Sequence, residues 1–175
     1  MKIQKWVYAG AVGCAVALMA GCDWNFGGSA DSWSDRYNWV NFSGTYEGTS
    51  GDIVSAVTGH DIARFTITHE GETLTFVDNW GSVYTGKFSS MRTTGGTSRD
   101  TAEDVDVPVN NDTLLASYEV KGSNAAGYPV TMTGTFQATV LVAGTPPRYR
   151  LTGRTIVGTY IELGGKVGSI SGAAL

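Results

Sequence analysis

The sequence predicts an all-β fold, an antiparallel up-and-down meander of about eight strands. Glycine is abundant (24 residues) and proline is rare (4 residues) beside many threonine, valine and tyrosine residues, a composition typical of strands and turns. Apolar and polar residues alternate in short segments between turn residues, and no amphipathic helix of useful length occurs. Because closure removes exposed sheet edges, we expect a closed barrel, with a two-sheet β-sandwich as the alternative.

The first half of the β domain is predicted to be one strand followed by a three-stranded meander. Residues 40–48 alternate and predict the first strand, whereas residues 50–59 suit either a helical turn or a short strand. The strands of the meander are predicted at residues 61–69, 72–77 and 83–91. Its two turns are Glu70-Gly71 and Asn79 to Ser82.

The second half begins with residues 92–112, which break the alternation and predict a long surface excursion that is too polar to bury. Residues 130–142 show the clearest alternation, with Val130, Met132 and Phe136 on the same face. The remaining strands are predicted at residues 113–121, 148–153, 155–163 and 167–175. The remaining turns are predicted at residues 122–124 and 144–147. Residues 148–163 fit either two strands or one long bent strand.

The N-terminus has the pattern of a secretory signal peptide. Lys2 and Lys5 form a short positive head, and residues 6–20 are an apolar run without a charge. This run is shorter than the roughly 20 residues that a spanning helix needs. We therefore expect residues 1–21 to be removed rather than to remain as a membrane span.

The end of this leader, Met19-Ala20-Gly21-Cys22, resembles the lipobox of bacterial lipoproteins, although that family more often has leucine where Met19 stands. The resemblance implies that a diacylglycerol is attached to the Cys22 thiol and that the bond between Gly21 and Cys22 is cleaved. Two or three acyl chains would hold a domain on a bilayer almost permanently. The implied localisation is the bacterial cell envelope, where lipid anchors the chain to a membrane. Asp23 follows the anchor and does not decide between the inner and the outer membrane.

The implied organisation is a signal peptide (residues 1–21), a lipidated tether (22–39) and a β domain (40–175). The tether contains glycine, serine and large aromatic residues. Trp24 is expected at the lipid headgroups, and Trp33 and Trp39 are expected to pack on the domain, with an exposed platform for a glycan or a protein partner as the alternative.

Composition limits the partners of the mature chain. The leader takes two lysines, so ten basic and sixteen acidic residues remain, a net charge of −6. Such an acidic domain repels phosphate backbones, which argues against nucleic acid as a partner. Cys14 is discarded and Cys22 is acylated, so no disulfide is expected.

The segment Gly44-Thr45-Tyr46 resembles the Gly-x-Trp opening strand of lipocalin and avidin-type barrels, with Tyr46 in place of the tryptophan. This resemblance implies a calycin-like barrel. It does not imply biotin binding, because that family uses several tryptophans from different strands and only Trp80 lies in the strand region here.

The sequence predicts no catalytic site. The mature chain has no free thiol, and its only histidines, His60 and His69, are predicted to be solvated loop residues. Sugar hydrolysis would need two carboxylates at one cleft, and the sequence does not say whether any two of the strand glutamates converge. Those glutamates are Glu72, Glu119 and Glu162.

No metal or cofactor site is predicted either. Two histidines without a spaced motif do not form a zinc site. Asp104, Asp106 and Asp112 could supply oxygen ligands to calcium, but Val105, Val107 and Pro108 interrupt them, and a solvated acidic run is the favoured interpretation.

Three functions follow as hypotheses. The first is a non-enzymatic envelope lipoprotein whose β domain binds a protein or glycan partner or has a structural role. The second is a small-molecule carrier with an apolar cavity behind the inward face of residues 130–142. The third is an envelope hydrolase acting on glycan or peptidoglycan.

Overall fold

The computed structural model describes residues 37–55, 61–94, 99–100, 105–106 and 108–175. Every regular element in these ranges is a β-strand. In chain order the strands are β1 (Gly44–Gly48), β2 (Val54–Ser55), β3 (Arg64–Glu70), β4 (Thr73–Asp78), β5 (Val83–Thr94), β6 (Arg99–Asp100), β7 (Val105–Asp106), β8 (Thr113–Ser123), β9 (Pro129–Ala143), β10 (Arg148–Glu162) and β11 (Lys166–Ala174).

Eight of these strands close into an antiparallel barrel. The order around the sheet is β1-β3-β4-β5-β8-β9-β10-β11, and β11 pairs back onto β1. Closure is carried by the pairs Tyr46 with Ala174 and Gly48 with Gly172. The all-β prediction and its preferred barrel form are confirmed, the fold is consistent with a calycin-like barrel, and closure excludes the two-sheet sandwich.

Strand β2 is an additional short strand that continues along β11 where β1 ends. Ser55 and Val54 pair with Ser169 and Ile170, and Val54 also bridges to Ile62. The ambiguous segment 50–59 therefore contains a short strand at its described positions. Residues 148–162 form one strand, whose pairing with β9 shifts register between Thr152 and Thr155.

Several predicted boundaries are wrong. Strand β3 begins at Arg64 rather than at residue 61, and β5 continues to Thr94, into the predicted excursion, because residues 92–94 pair with residues 113–115 of β8. The first strand begins at Gly44 rather than at residue 40, because side chains replace the ladder before it: Ser43 N–H donates to Asn41 Oδ1 (2.7 Å), and His69 N–H donates to Ser43 Oγ (2.9 Å). Strand β8 continues through Gly122 and Ser123, which were predicted to turn, and the turn follows at Asn124.

The predicted inward face of β9 is confirmed, and Phe136 is its central member. Its ring centroid lies 4.7–5.9 Å from those of five other aromatic side chains, Phe42, Tyr46, Phe76, Phe88 and Tyr118. All six side chains are at most 5% exposed. An eight-stranded barrel is just wide enough for side chains to fill, and here aromatic rings fill the region around Phe136.

Two facing glycines make room for one of those rings. Gly134 of β9 lies opposite both Tyr118 of β8 and Gly158 of β10. A Cβ on Gly134 or Gly158 would approach the Tyr118 hydroxyl to 2.7 or 2.8 Å. The buried Tyr118 hydroxyl has no hydrogen-bond partner among the described residues, and burial raises the pKa of this phenol.

Within the described ranges, no helix has the length and apolarity that crossing a bilayer requires.

Candidate functional site

The antiparallel strands define two ends of the barrel. One end carries the β3–β4 and β9–β10 turns and the entry of the chain into β1; we call it the pocket end. The other carries the β4–β5, β8–β9 and β10–β11 turns; we call it the polar-cluster end. Each end gathers side chains that the sequence does not bring together.

A pocket of about 360 Å³ lies at the pocket end. Its walls come from the segment before β1, from the end of β3 with the following turn, and from β5. The lining residues are Tyr37, Asn38, Trp39, Val40, Asn41, His69, Gly71 and Met91. Its volume falls within the range of small-ligand sites.

The segment before β1 is held against the barrel by a turn and by aromatic contacts. Val40 N–H donates to the Tyr37 carbonyl (2.9 Å), which folds Tyr37 and Trp39 back onto the domain. The Trp39 ring lies 4.9 Å from that of Tyr149 in β10 and 6.4 Å from that of Tyr37. The prediction that Trp39 packs on the domain is confirmed.

His69 is a structural wall of this pocket. Its Nε2–H donates to the Gly71 carbonyl (2.7 Å), and its Nδ1 accepts from the Phe42 N–H (3.3 Å). Its ring centroid lies 4.9 Å from that of Phe88. Desolvation by burial lowers the pKa of His69, partly offset by the hydrogen bond to Gly71. The prediction that His69 is a solvated loop residue is wrong. Because both ring nitrogens form hydrogen bonds within the protein, neither is available to accept a proton from a substrate.

None of the described residues that line the pocket carries a formal charge when His69 is neutral. Tyr37 and Trp39 contribute aromatic surface and Met91 contributes apolar surface. Asn38 and Asn41, both exposed, contribute amides that donate and accept hydrogen bonds. These groups suit a neutral ligand with both apolar and hydroxyl or amide groups.

Arg154 fixes the start of β1 beside this pocket. Its guanidinium Nη1 donates to the Ser43 carbonyl (2.6 Å). Gly44 has φ +151°, and a Cβ there would meet Arg154 Nη2 at 3.4 Å. Tyr46 is fully buried, and its hydroxyl donates to the Phe42 carbonyl (2.9 Å). Burial raises the pKa of Tyr46, and the positive charge of Arg154 offsets this in part.

At the polar-cluster end, Asp78 organises the β4–β5 turn. Its Oδ1 accepts from the backbone N–H of Trp80 (2.9 Å) and of Ser82 (2.8 Å). Its Oδ2 accepts from the Tyr84 hydroxyl (3.0 Å). Burial is the main cause that raises the pKa of Tyr84. The carboxylate, only 6% exposed, therefore has three donors that stabilise its charge.

Asn124 and Glu162 connect the β8–β9 turn with the β10–β11 turn at this end. Asn124 Nδ2–H donates to Glu162 Oε2 (2.8 Å), and Asn124 Oδ1 accepts from the N–H groups of Ala126 and Tyr128 (3.1 and 3.0 Å). Glu162 Oε1 lies 3.7 Å from Lys166 Nζ. The sequence patterns did not reveal this buried cluster, although an aspartate at the start of a turn is a known signal.

The structure separates the glutamates that a hydrolase would need to bring together. Glu72 lies in the β3–β4 turn at the pocket end, whereas Glu162 is buried at the opposite end. Glu119 lies on the outer surface of β8, where its Oε1 is 2.7 Å from Lys121 Nζ. No two of these three carboxylates share an end and a face of the barrel.

The acidic excursion contains one residue that contradicts the prediction of a fully solvated run. Asp112 is 3% exposed, and its Oδ2 accepts from Val109 N–H (2.8 Å), which closes the turn before β8. Asp106 lies in β7. Among the described residues, no group of three or more histidine, cysteine or acidic side chains could hold a metal ion. Gly21, Cys22, Trp24, Trp33, His60 and Asp104 lie outside the described residues.

No protein-family model, curated protein or solved structure matches this chain.

The environment of His69 predicts a titration below the ordinary value of 6.5. Because the folded state favours the neutral ring, the stability that this ring contributes is complete above about pH 6.5 and falls as the pH drops toward the lowered pKa. The ring resonances of His69, assigned by comparison with His60→Gln, should show this midpoint in an NMR titration. A midpoint at or above 6.5 would contradict the described environment.

Proposed function

We propose that this chain is a non-enzymatic lipoprotein of the bacterial cell envelope, anchored through lipid on Cys22, whose barrel binds a neutral ligand at the pocket end. Two independent features of the chain support these roles. The lipobox resemblance of Met19 to Cys22 supports the anchor and the envelope localisation. The pocket formed by residues 37–41 with His69 and Met91 supports binding.

The single observation that carries the binding role is the uncharged, aromatic and amide-containing lining of this pocket. Aromatic faces pack against the C–H surfaces of sugar rings, and side-chain amides satisfy hydroxyl and acetamido groups. Of the two expected partner classes, an envelope protein and an envelope glycan, the glycan therefore fits this lining better. Ionic ligands would gain no ion pair from the lining residues.

The other two hypotheses receive less support. A carrier of the calycin type needs free space behind the inward face of residues 130–142, but aromatic rings occupy the region around Phe136. A hydrolase needs converging carboxylates, but Glu72, Glu119 and Glu162 occupy different parts of the barrel. Neither hypothesis is favoured by a specific contact among the described residues.

Replacing Trp39 should weaken binding of a neutral glycan. We expect Trp39→Ala to lower the affinity for the trisaccharide of N-acetylglucosamine by about tenfold or more, equivalent to about 1.4 kcal/mol. NMR titration of the full chain measures this loss. The matched control is Trp80→Ala, which removes a 58% exposed tryptophan at the opposite end of the barrel and should bind like the wild type. Equal affinity in all three proteins, or no binding by the wild type, would refute the glycan site.

The anchor is tested by metabolic labelling. A bacterial host supplied with a palmitate analogue should label the wild-type chain, and Cys22→Ser should abolish the label because the acceptor thiol is gone. Met19→Leu, which restores the commoner lipobox residue, is the control and should label at least as well. Equal labelling of wild type and Cys22→Ser would remove the basis for the anchor and the localisation.

A further inference from the structure

Exposed apolar side chains concentrate at the polar-cluster end. Six of the large hydrophobic residues that are at least 44% exposed lie there, in or beside the β4–β5, β8–β9 and β10–β11 turns. We call them the apolar rim: Trp80 (58% exposed), Val83 (50%), Tyr128 (51%), Ile161 (44%), Leu163 (70%) and Val167 (55%).

Strand register makes the larger part of the rim continuous. Ile161 of β10 lies directly opposite Val167 of β11. The Leu163 N–H donates to the Pro129 carbonyl (2.8 Å), which places Leu163 beside the residue that follows Tyr128. Pro129 in turn pairs with Ser123 at the end of β8. One edge of the barrel end therefore presents apolar side chains from the neighbouring strands β10 and β11, from the turn that joins them and from the β8–β9 turn.

The buried polar cluster beneath the rim holds its turns in place. Asp78 binds the backbone of Trp80, and Asn124 binds the backbone of Tyr128. The indole N–H of Trp80 already donates to the Asp61 carbonyl (3.1 Å), so the exposed ring needs no further polar partner. The rim is thus pre-organised, which lowers the entropic cost of inserting it into an apolar environment.

Two lysines that pair with glutamates lie at the border of the rim. Lys121 and Lys166 have side chains that are 66% and 45% exposed, and their Nζ atoms lie 2.7 Å from Glu119 and 3.7 Å from Glu162. Long lysine side chains cover apolar surface while their charged groups stay at the level of the headgroups. Tryptophan and tyrosine are the residues most enriched at the membrane–water interface. The combination of aromatic turns, aliphatic strand ends and bordering lysines matches the headgroup region of a bilayer.

We propose that the apolar rim docks on the lipid surface to which Cys22 anchors the chain; this inference rests on the lipid anchor of the proposed function. The pocket, at the opposite end of the barrel, would then face away from the bilayer and remain open to its ligand. The barrel would then keep one orientation relative to the membrane instead of rotating freely at the end of its tether.

The length of the tether allows this orientation. Residues 23–37 comprise 15 residues between the anchor and the pocket end. Fully extended, they reach about 50 Å. The longest barrel strands have 15 residues, and a strand of that length tilted by about 40° spans roughly 38 Å along the barrel axis.

The test uses the lipidated full chain, reconstituted from a bacterial host into vesicles of phosphatidylethanolamine and phosphatidylglycerol. A thiol-reactive environment-sensitive fluorophore is placed at Leu163→Cys in the rim or at the matched control Thr73→Cys, an exposed strand-end position at the pocket end. Because Cys14 leaves with the leader and the Cys22 thiol carries lipid, the introduced cysteine is the one free thiol.

We expect the fluorophore at position 163 to shift to shorter wavelengths and to lose intensity in vesicles with brominated acyl chains, whereas position 73 shows neither change. The double substitution Ile161→Ser and Val167→Ser should reduce the quenching at position 163. Quenching at position 73 instead, or at neither position while the protein floats with the vesicles, overturns the docking but leaves the anchor intact.

Two further outcomes also overturn the proposal. A shift at position 163 that depends on protein concentration, without quenching by brominated lipid, would mean that a second copy covers the rim. A chain that does not float with the vesicles at all would refute the anchor itself, and with it the docking that depends on it.

Discussion

The packing of aromatic rings around Phe136 is the contact on which the rest of the barrel depends. Five rings, from the entry segment and from strands β1, β4, β5 and β8, meet it at centroid distances of 4.7–5.9 Å. The residues that the structure describes include no cysteine, so burial of apolar surface and the closed ladder of strands must hold the barrel together. Because this packing occupies the region where a calycin carrier would hold its ligand, the proposed binding site lies instead at the pocket end of the barrel.

The two ends use their polar residues differently. At the pocket end, His69, Asn41 and Ser43 fasten an irregular segment across the entry of the barrel, and the remaining side-chain surface forms an uncharged pocket. At the polar-cluster end, Asp78 and Asn124 are buried under turns whose outer side chains are apolar. At the polar-cluster end, polar groups are therefore buried and apolar groups are exposed. This arrangement is the basis of the proposed docking of the apolar rim on a lipid surface.

The sequence was sufficient to predict the elements that follow simple periodicity. The alternation over residues 130–142 assigned the inward face of β9 correctly, because a strand with one buried face has a period of two. The irregular start of β1 was not predictable, since Asn41 and Ser43 replace ladder hydrogen bonds with side-chain ones. The buried clusters were missed for a related reason: charged and amide side chains are usually exposed, and only the fold shows which of them, such as Glu162, meet buried donors.

The measurement that tests the filled barrel most directly is the free energy of unfolding of Phe136→Ala, with Thr133→Ala on the exposed face of the same strand as its control. If Phe136 is the centre of a packed interior, its truncation leaves a cavity and should cost about 3–5 kcal/mol in urea denaturation. The control should change stability by less than about 0.5 kcal/mol. A loss below about 1 kcal/mol for Phe136→Ala would indicate a ring that lines an open interior, and would contradict the filled barrel.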